Sequence, residues 1–384
     1  MFQQIVKIFI IVIIFCFSSC KLFDDNSKTK EILGCVDESA YNYNPDATQD
    51  DGSCDYCTGN STSSFLLISK DGGITWDRKC FNIPASNIID ISIVDSNNIW
   101  VCTAATFSGQ TDAQILHSNN GGYTWTEQYV DMEGDKFFNY IEFFDELNGI
   151  AMGDGKNDIP IFLKTTDGGI NWINTTTQNI GGYSGDTWRR LDFLDNNNGY
   201  FYSSGYSNNS GNLYKTTNSG VGWTPTNFDG NNVGVLKFYD SDIGLISSFN
   251  NDLHSTQDGG NTWTTTNPNW DGNSWAFDIG FHPTNPNKVW LSAGDGNLYY
   301  SEDFCTTIKK QELSSEAIKI WNIYIGESTV WTAGYWTNQP LFVNRDFSQT
   351  KWDSILLPLD DNKSIEGIID GVGDNIIVIP GHYN

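Results

Sequence analysis

Five stretches of the chain spell nearly the same eight residues: SKDGGITW at 69–76, SNNGGYTW at 118–125, TTDGGINW at 165–172, TTNSGVGW at 216–223 and TQDGGNTW at 256–263. Degenerate copies, SEDFCTTI at 301–308 and NRDFSQTKW with one insertion at 344–352, bring the series to seven. In each, the Asp or Asn side chain is suited to accept backbone N–H bonds within a tight turn. The glycines supply positive-φ positions, and the Trp offers a large surface to pack between neighbouring sheets. Each copy therefore reads as a turn between two strands, and their recurrence every ~45 residues marks a repeat architecture.

Working outward, a second unit precedes every copy but the first and follows the last: an apolar strand, a D-x-x-x-G-type turn and another strand. It reads IIDISIVDSNNIWVC at 88–102, YIEFFDELNGIAMG at 140–153, RLDFLDNNNGYFYS at 190–203 and VLKFYDSDIGLISS at 235–248. FDIGFHPTNPNKVWLS at 277–292, IKIWNIYIGESTVWTA at 318–333 and IEGIIDGVGDNIIVI at 365–379 complete seven. Two strands here plus two flanking each turn make a four-stranded blade, which predicts an all-β, seven-bladed β-propeller over 57–384. The chain enters on a lone hairpin, 65–80, and leaves on a lone strand pair, 365–380. The two must share one blade in a Velcro closure that leaves the ring no free edge.

The eight-residue turns resemble the Asp-box, or BNR, motif of sialidases, sortilin-like receptors, xyloglucanases and the photosystem II assembly-factor family. That resemblance implies a face of structural turns and an opposite face of functional loops, here 103–114, 129–137, 153–160, 177–188, 203–211, 264–275 and 333–339. These loops hold aromatic residues beside carboxylates, a composition suited to stacking on sugars or to peptide contacts. Candidate ligand-binding residues are Trp188, Arg189, Trp270, Trp275, Trp336, Asp154, Asp186 and Asp271. No catalytic residue is assigned. A sialidase needs three converging arginines to hold the substrate carboxylate. Of the four arginines here, Arg78 and Arg345 fall at the turns, and FNIP at 81–84 has Asn82 where the sialidase FRIP motif has Arg. Sialidase chemistry is thereby disfavoured; a carboxylate-pair glycoside hydrolase of xyloglucanase type is the alternative function.

Upstream, residues 1–19 form an export leader with Lys7 and an apolar run over 8–17. Cys20 follows two serines and resembles the acylated first residue of a bacterial lipoprotein, which implies a lipid anchor at the outer membrane or cell surface. After a tether over 20–33, the segment GCVDESAYNYNPDATQDDGSCDY at 34–56 resembles a short Cys-Asp module of surface proteins in marine Bacteroidetes. The resemblance implies a loop closed by Cys35 and Cys54. Its Asp37, Asp46, Asp50 and Asp51 offer hard oxygen ligands of the kind Ca2+ takes, although the spacing is not that of an EF-hand. Cys57 and Cys80 are suited to staple the first hairpin, while Cys102 and Cys305 have no assigned partner.

The composition narrows the partners. With 47 carboxylates against 21 Lys+Arg and a net charge of −26, the chain repels nucleic acid and anionic lipid headgroups. Its four histidines form no zinc or triad pattern. The expectation is a non-catalytic surface lipoprotein whose propeller binds an envelope protein or glycan.

Overall fold

The computed structural model describes residues 31–37, 40, 43–50, 64–81, 87–104, 112–130, 137–153, 160–175, 180, 190–203, 211–272, 274–313, 320–334, 341–347, 351–359 and 363–383. The chain divides into two compact units, Met1–Asp55 and Tyr56–Asn384. In the first, a parallel bridge joins Leu33 to Gln49, and Asn44 N–H bonds the Cys35 carbonyl at 2.8 Å. No helix occurs among the described residues.

The second unit is a ring of seven antiparallel sheets. Six of them contain four strands in chain order, from the innermost strand at the ring axis to the outermost at the rim. Their inner strands are Ile88–Ile93, Phe138–Phe143, Leu191–Phe193, Val233–Phe238, Ala276–His282 and Ile320–Ile325, heading blades one to six. The seventh blade is shared by the two ends of the unit. Strand Phe65–Ser69 pairs with Ile376–Tyr383 in a register running from Phe65 opposite Gly381 to Ser69 opposite Ile377. Asp77–Cys80 adds the outer edge. One detail departs from the four-strand expectation: the inner strand of this blade is broken into Lys363–Ile365 and Asp370–Val372, with Gly367 at φ +75° between them.

Packing explains why the middle strands read as unbroken apolar runs. Side chains alternate across a strand, and each blade is covered on both faces by its neighbours. Phe65 and Leu67 pack toward blade six with Trp331, whereas Leu66 and Ile68 pack toward blade one with Ile99 and Val101. The next blade repeats this, with Trp100 and Cys102 turned toward blade two. Seven apolar clusters result, one at each blade junction. A fully buried side chain of this size contributes about 1.5–3 kcal/mol, so the ring is held by its junctions and the seam carries two of them. Cys102 and Cys305, both free thiols, are buried in these clusters.

The repeated turns close as their chemistry demands. Asp71 accepts the Ile74 and Thr75 N–H groups at 3.0 and 2.9 Å and the Thr75 hydroxyl at 2.6 Å, while Ser69 Oγ accepts Gly73 N–H at 2.7 Å. Equivalent bonds centre on Asn120, Asp167, Asn218, Asp258 and Asp303. Each of these six turns is further tied to the inner-hairpin turn of its own blade, as Gly121 N–H is to Asn97 O at 2.9 Å and Gly72 N–H to Asn375 O at 3.0 Å. The inner-hairpin turns use the same device: Asp95, Asp145 and Asp195 each accept the N–H groups two and three residues on. Both turn sets occupy one face, which the antiparallel order places opposite the loops.

Candidate functional site

Facing inward, the inner strands enclose a central cavity of about 480 Å3. Among the described residues its charged lining is lopsided: Asp90, Glu142, Asp192, Asp278 and Asp370 against Lys237. Several of these side chains staple one blade to the next. Asp90 accepts Ile141 N–H at 3.0 Å, Asp192 accepts Phe238 N–H at 2.7 Å, and Asp278 accepts Ile323 N–H at 2.8 Å. Asn322 does the same for Ile369 at 3.0 Å, and Lys237 Nζ donates to Asp192 at 2.7 Å.

Glu142 stands apart from these staples. Burial in the cavity wall, with Asp370 and Asp192 nearby, pushes its carboxyl up to about 8, against the partial relief of Lys237. Asp370 is raised to about 7 by burial and by the Asp90 charge. Burial pulls the Lys237 ammonium down, but Asp192 and Glu142 outweigh this and hold it above its ordinary range. The physical cause is common: desolvation penalises the charged form of each carboxyl, and neighbouring carboxylates add to it, so both hold protons near neutral pH.

At the loop-side end of the inner strands the register slips by one residue in five blades, between Ile88 and Asp90, Phe138 and Tyr140, Val233 and Val235, Ala276 and Asp278, and Ile320 and Asn322. A bulge re-aims the extra residue. The extra residues are Ile89, Asn139, Gly234, Phe277 and Trp321. In blades five and six this builds an aromatic strip beside the cavity-lining Asp278 and Asn322. Phe277 stacks on Trp321 at 4.6 Å and 18°, Trp275 meets Phe277 edge-on at 6.0 Å, and Phe249 meets Trp275 edge-on at 5.5 Å. Phe249 is 45% exposed, and the other three are half-buried. The guanidinium of buried Arg190 lies 5.8 Å from the Phe249 ring.

The residues singled out from sequence separate against this geometry. Trp275 joins the strip. Trp270 is core instead: it is buried, donates Nε1–H to Asn251 O at 2.9 Å and sits edge-on to Tyr299 at 5.1 Å. Asp271 is exposed and paired with Lys310 at 3.0 Å on the rim. Trp188, Arg189, Trp336, Asp154 and Asp186 lie outside the described residues, as do Cys20, Cys54, Cys57 and Asp51. Cys35 and Cys80 are disulfide-bonded. Among the described residues no three His, Cys, Asp or Glu side chains converge as a metal site. Sequence reasoning missed Phe249, Phe277, Trp321 and the cavity carboxylates. Aligning the inner strands on their bulges would have put Phe277 and Trp321 in one column with Ile89 and Asn139.

No protein-family model and no curated protein matches the chain. Among solved structures it resembles YCF48 bound to D1 peptide, with a TM-score of 0.57 and 18% identity over 85% of this chain and 98% of that one. YCF48 from Cyanidioschyzon merolae gives 0.55 and 17% over 77% and 95%. The GH74 xyloglucanase from Xanthomonas campestris gives 0.53 and 11% over 74% and 52%. At these identities the likeness establishes the seven-bladed propeller fold alone.

Proposed function

We propose that this chain is a non-catalytic binding propeller that presents its loop-side face to a protein partner. The observation that carries the reading is the strip Phe249–Trp275–Phe277–Trp321, half-buried aromatic surface beside the mouth of the cavity. Planar side chains of this kind supply contact area at small entropic cost, a frequent property of binding hot spots. The similarity to a propeller solved with a bound peptide supports a peptide partner. In the same reading Cys20 carries a lipid that anchors the protein at the outer membrane or cell surface.

Affinity capture from detergent-solubilised envelope tests this reading. The wild-type chain is expected to retain a protein that is lost when Trp275 is changed to Ala. The competing hydrolase reading predicts reducing ends released from plant or algal polysaccharides. Turnover abolished by Asp→Asn changes on the loop-side face would replace the binding reading.

A further inference from the structure

The aromatic strip and the acidic cavity lie side by side, and together they restrict what can dock. Asp278 and Asn322, the residues next to Phe277 and Trp321 in sequence, face the cavity. A segment lying on the strip therefore has the cavity mouth beneath it. Among the described residues the cavity holds five carboxylates and one ammonium. Asp90, Asp192 and Asp278 are engaged by backbone N–H groups of neighbouring blades, and Asp192 also by Lys237. Electrostatic focusing in a low-dielectric cleft makes such a mouth attractive to a cation and repellent to an anion. Arginine adds a second match, because its planar guanidinium stacks on aromatic faces and donates to carboxylates at once.

We propose that the strip docks an extended peptide segment bearing an arginine, with the guanidinium stacked against Phe277 or Trp321 and directed toward Asp278 at the cavity mouth, above the deeper Glu142, which lies two residues nearer the turn face. This rests on the protein-binding reading above and deepens it, naming the chemistry of the partner.

The cavity's acidity gives the docking a signature. The groups facing Glu142 are Asp90 from blade one, Asp192 from blade three, Lys237 from blade four, Asp278 from blade five and Asp370 from blade seven. The phenols of Tyr140 and Tyr324 also line the cavity. Of these, Glu142 and Asp370 hold protons near neutrality because they are desolvated among like charges. An incoming guanidinium supplies a countercharge and expels a proton, so binding and deprotonation are linked. Affinity therefore rises with pH through the range in which Glu142 titrates.

The test is calorimetric titration of the full chain with four nonapeptides: Gly-Ser-Arg repeated three times, and its counterparts with Lys, Gln or Glu in place of Arg. The arginine peptide is expected to bind at least roughly tenfold tighter than the glutamine peptide, and the glutamate peptide not at all. Trp321→Ala and Phe277→Ala should each weaken the arginine peptide by a similar factor. Diffuse attraction to an acidic protein would not change in these variants. Should an aromatic variant fail to fold, Glu142→Gln serves instead: it is near-isosteric, and it should weaken binding and flatten the rise between pH 6 and 9. Equal binding of the arginine and glutamine peptides, arginine binding unchanged in the variants, or no binding of any peptide would each overturn the inference. An envelope protein captured by the wild type and equally by Trp321→Ala would overturn it while sparing the protein-binding reading. Failure to capture any protein, with glycans bound in its place, would remove both.

Discussion

The turn face and the central cavity use the same functional group, a carboxyl, to opposite ends. At the turns, Asp71, Asp145, Asp167 and Asp258 each accept bonds from a hydroxyl or amide side chain and from backbone N–H groups, and their carboxyls are held below the ordinary range. In the cavity, Glu142 and Asp370 are confined with other carboxylates and titrate near 8 and 7. The difference lies in surroundings and not in residue type. A solvated carboxylate with converging donors is a structural fastener, while one desolvated among like charges becomes a store of protons. Their pH contributions have opposite signs. The turn carboxylates stabilise fully above ordinary Asp values near ~4 and lose that contribution as pH falls through their depressed values. The cavity acids favour the fold below ordinary carboxylate values, and this contribution is lost as pH rises toward about 8.

Removing residues 365–384 breaks the comparison most completely, since it takes Asp370 from the cavity and Asp374 and Asn375 from the turn face together. It deletes the partner of strand Phe65–Ser69 and two of the apolar junctions lose a wall. Loss of cooperative unfolding in calorimetry is expected, and a truncated chain melting as the wild type does would refute the circular closure.

A more selective break is Gly73→Val, which leaves the cavity intact and acts at the turn and the seam beneath it. Gly73 sits at φ +80°, and an added Cβ would lie 2.5 Å from Trp331 Cη2. A left-handed β-branched residue and overpacking at the seam together should cost about 3 kcal/mol, read from chemical denaturation.

Glu142→Gln sharpens the other side. It removes the charge whose ionisation the cavity resists, so the variant should be more stable than wild type at pH 9 and nearly equal to it at pH 5. We expect a gain of roughly 2 kcal/mol at the higher pH, discounted for water in the cavity. Melting curves over that range check it, and a variant that loses stability equally at both pH values would show Glu142 to be a structural bond and not a proton store.

The smallest effects distinguish shape from charge at the turns. Asp71→Ala, which leaves the Ile74 and Thr75 N–H groups without their acceptor, should cost about 1 kcal/mol, as loss of a helix cap does. Asp71→Asn should cost only a few tenths, because Asn120 and Asn218 already fill the same position in two blades. If Asn proved as damaging as Ala, charge and not acceptor geometry would hold the turn.

The turns and the ring were legible in the sequence, and the site was largely not. Ser69, Asp71, Gly73 and Thr75 are bonded to one another within a few residues, so their pattern survives in the letters and repeats with the blade. The pairing of 65–69 with 376–383 followed from counting, since the hairpin at one end and the strand pair at the other each lacked a complement. Trp270 shows where that reasoning ran out: an aromatic residue in a loop on the expected face proved to be core, because Asn251 and Tyr299, distant in sequence, enclose it.

What the chain determined by itself was thus the local bonding unit, its recurrence from blade to blade and the need for its ends to meet. The tertiary structure alone decided which inner-strand residues a bulge turns toward the mouth, and that Asp90, Glu142, Asp192, Asp278 and Asp370, one from each of five blades, share a single cavity. The reason is physical: hydrogen bonds within a turn are set by near neighbours, whereas burial and the repulsion between like charges depend on where ring closure brings distant strands together.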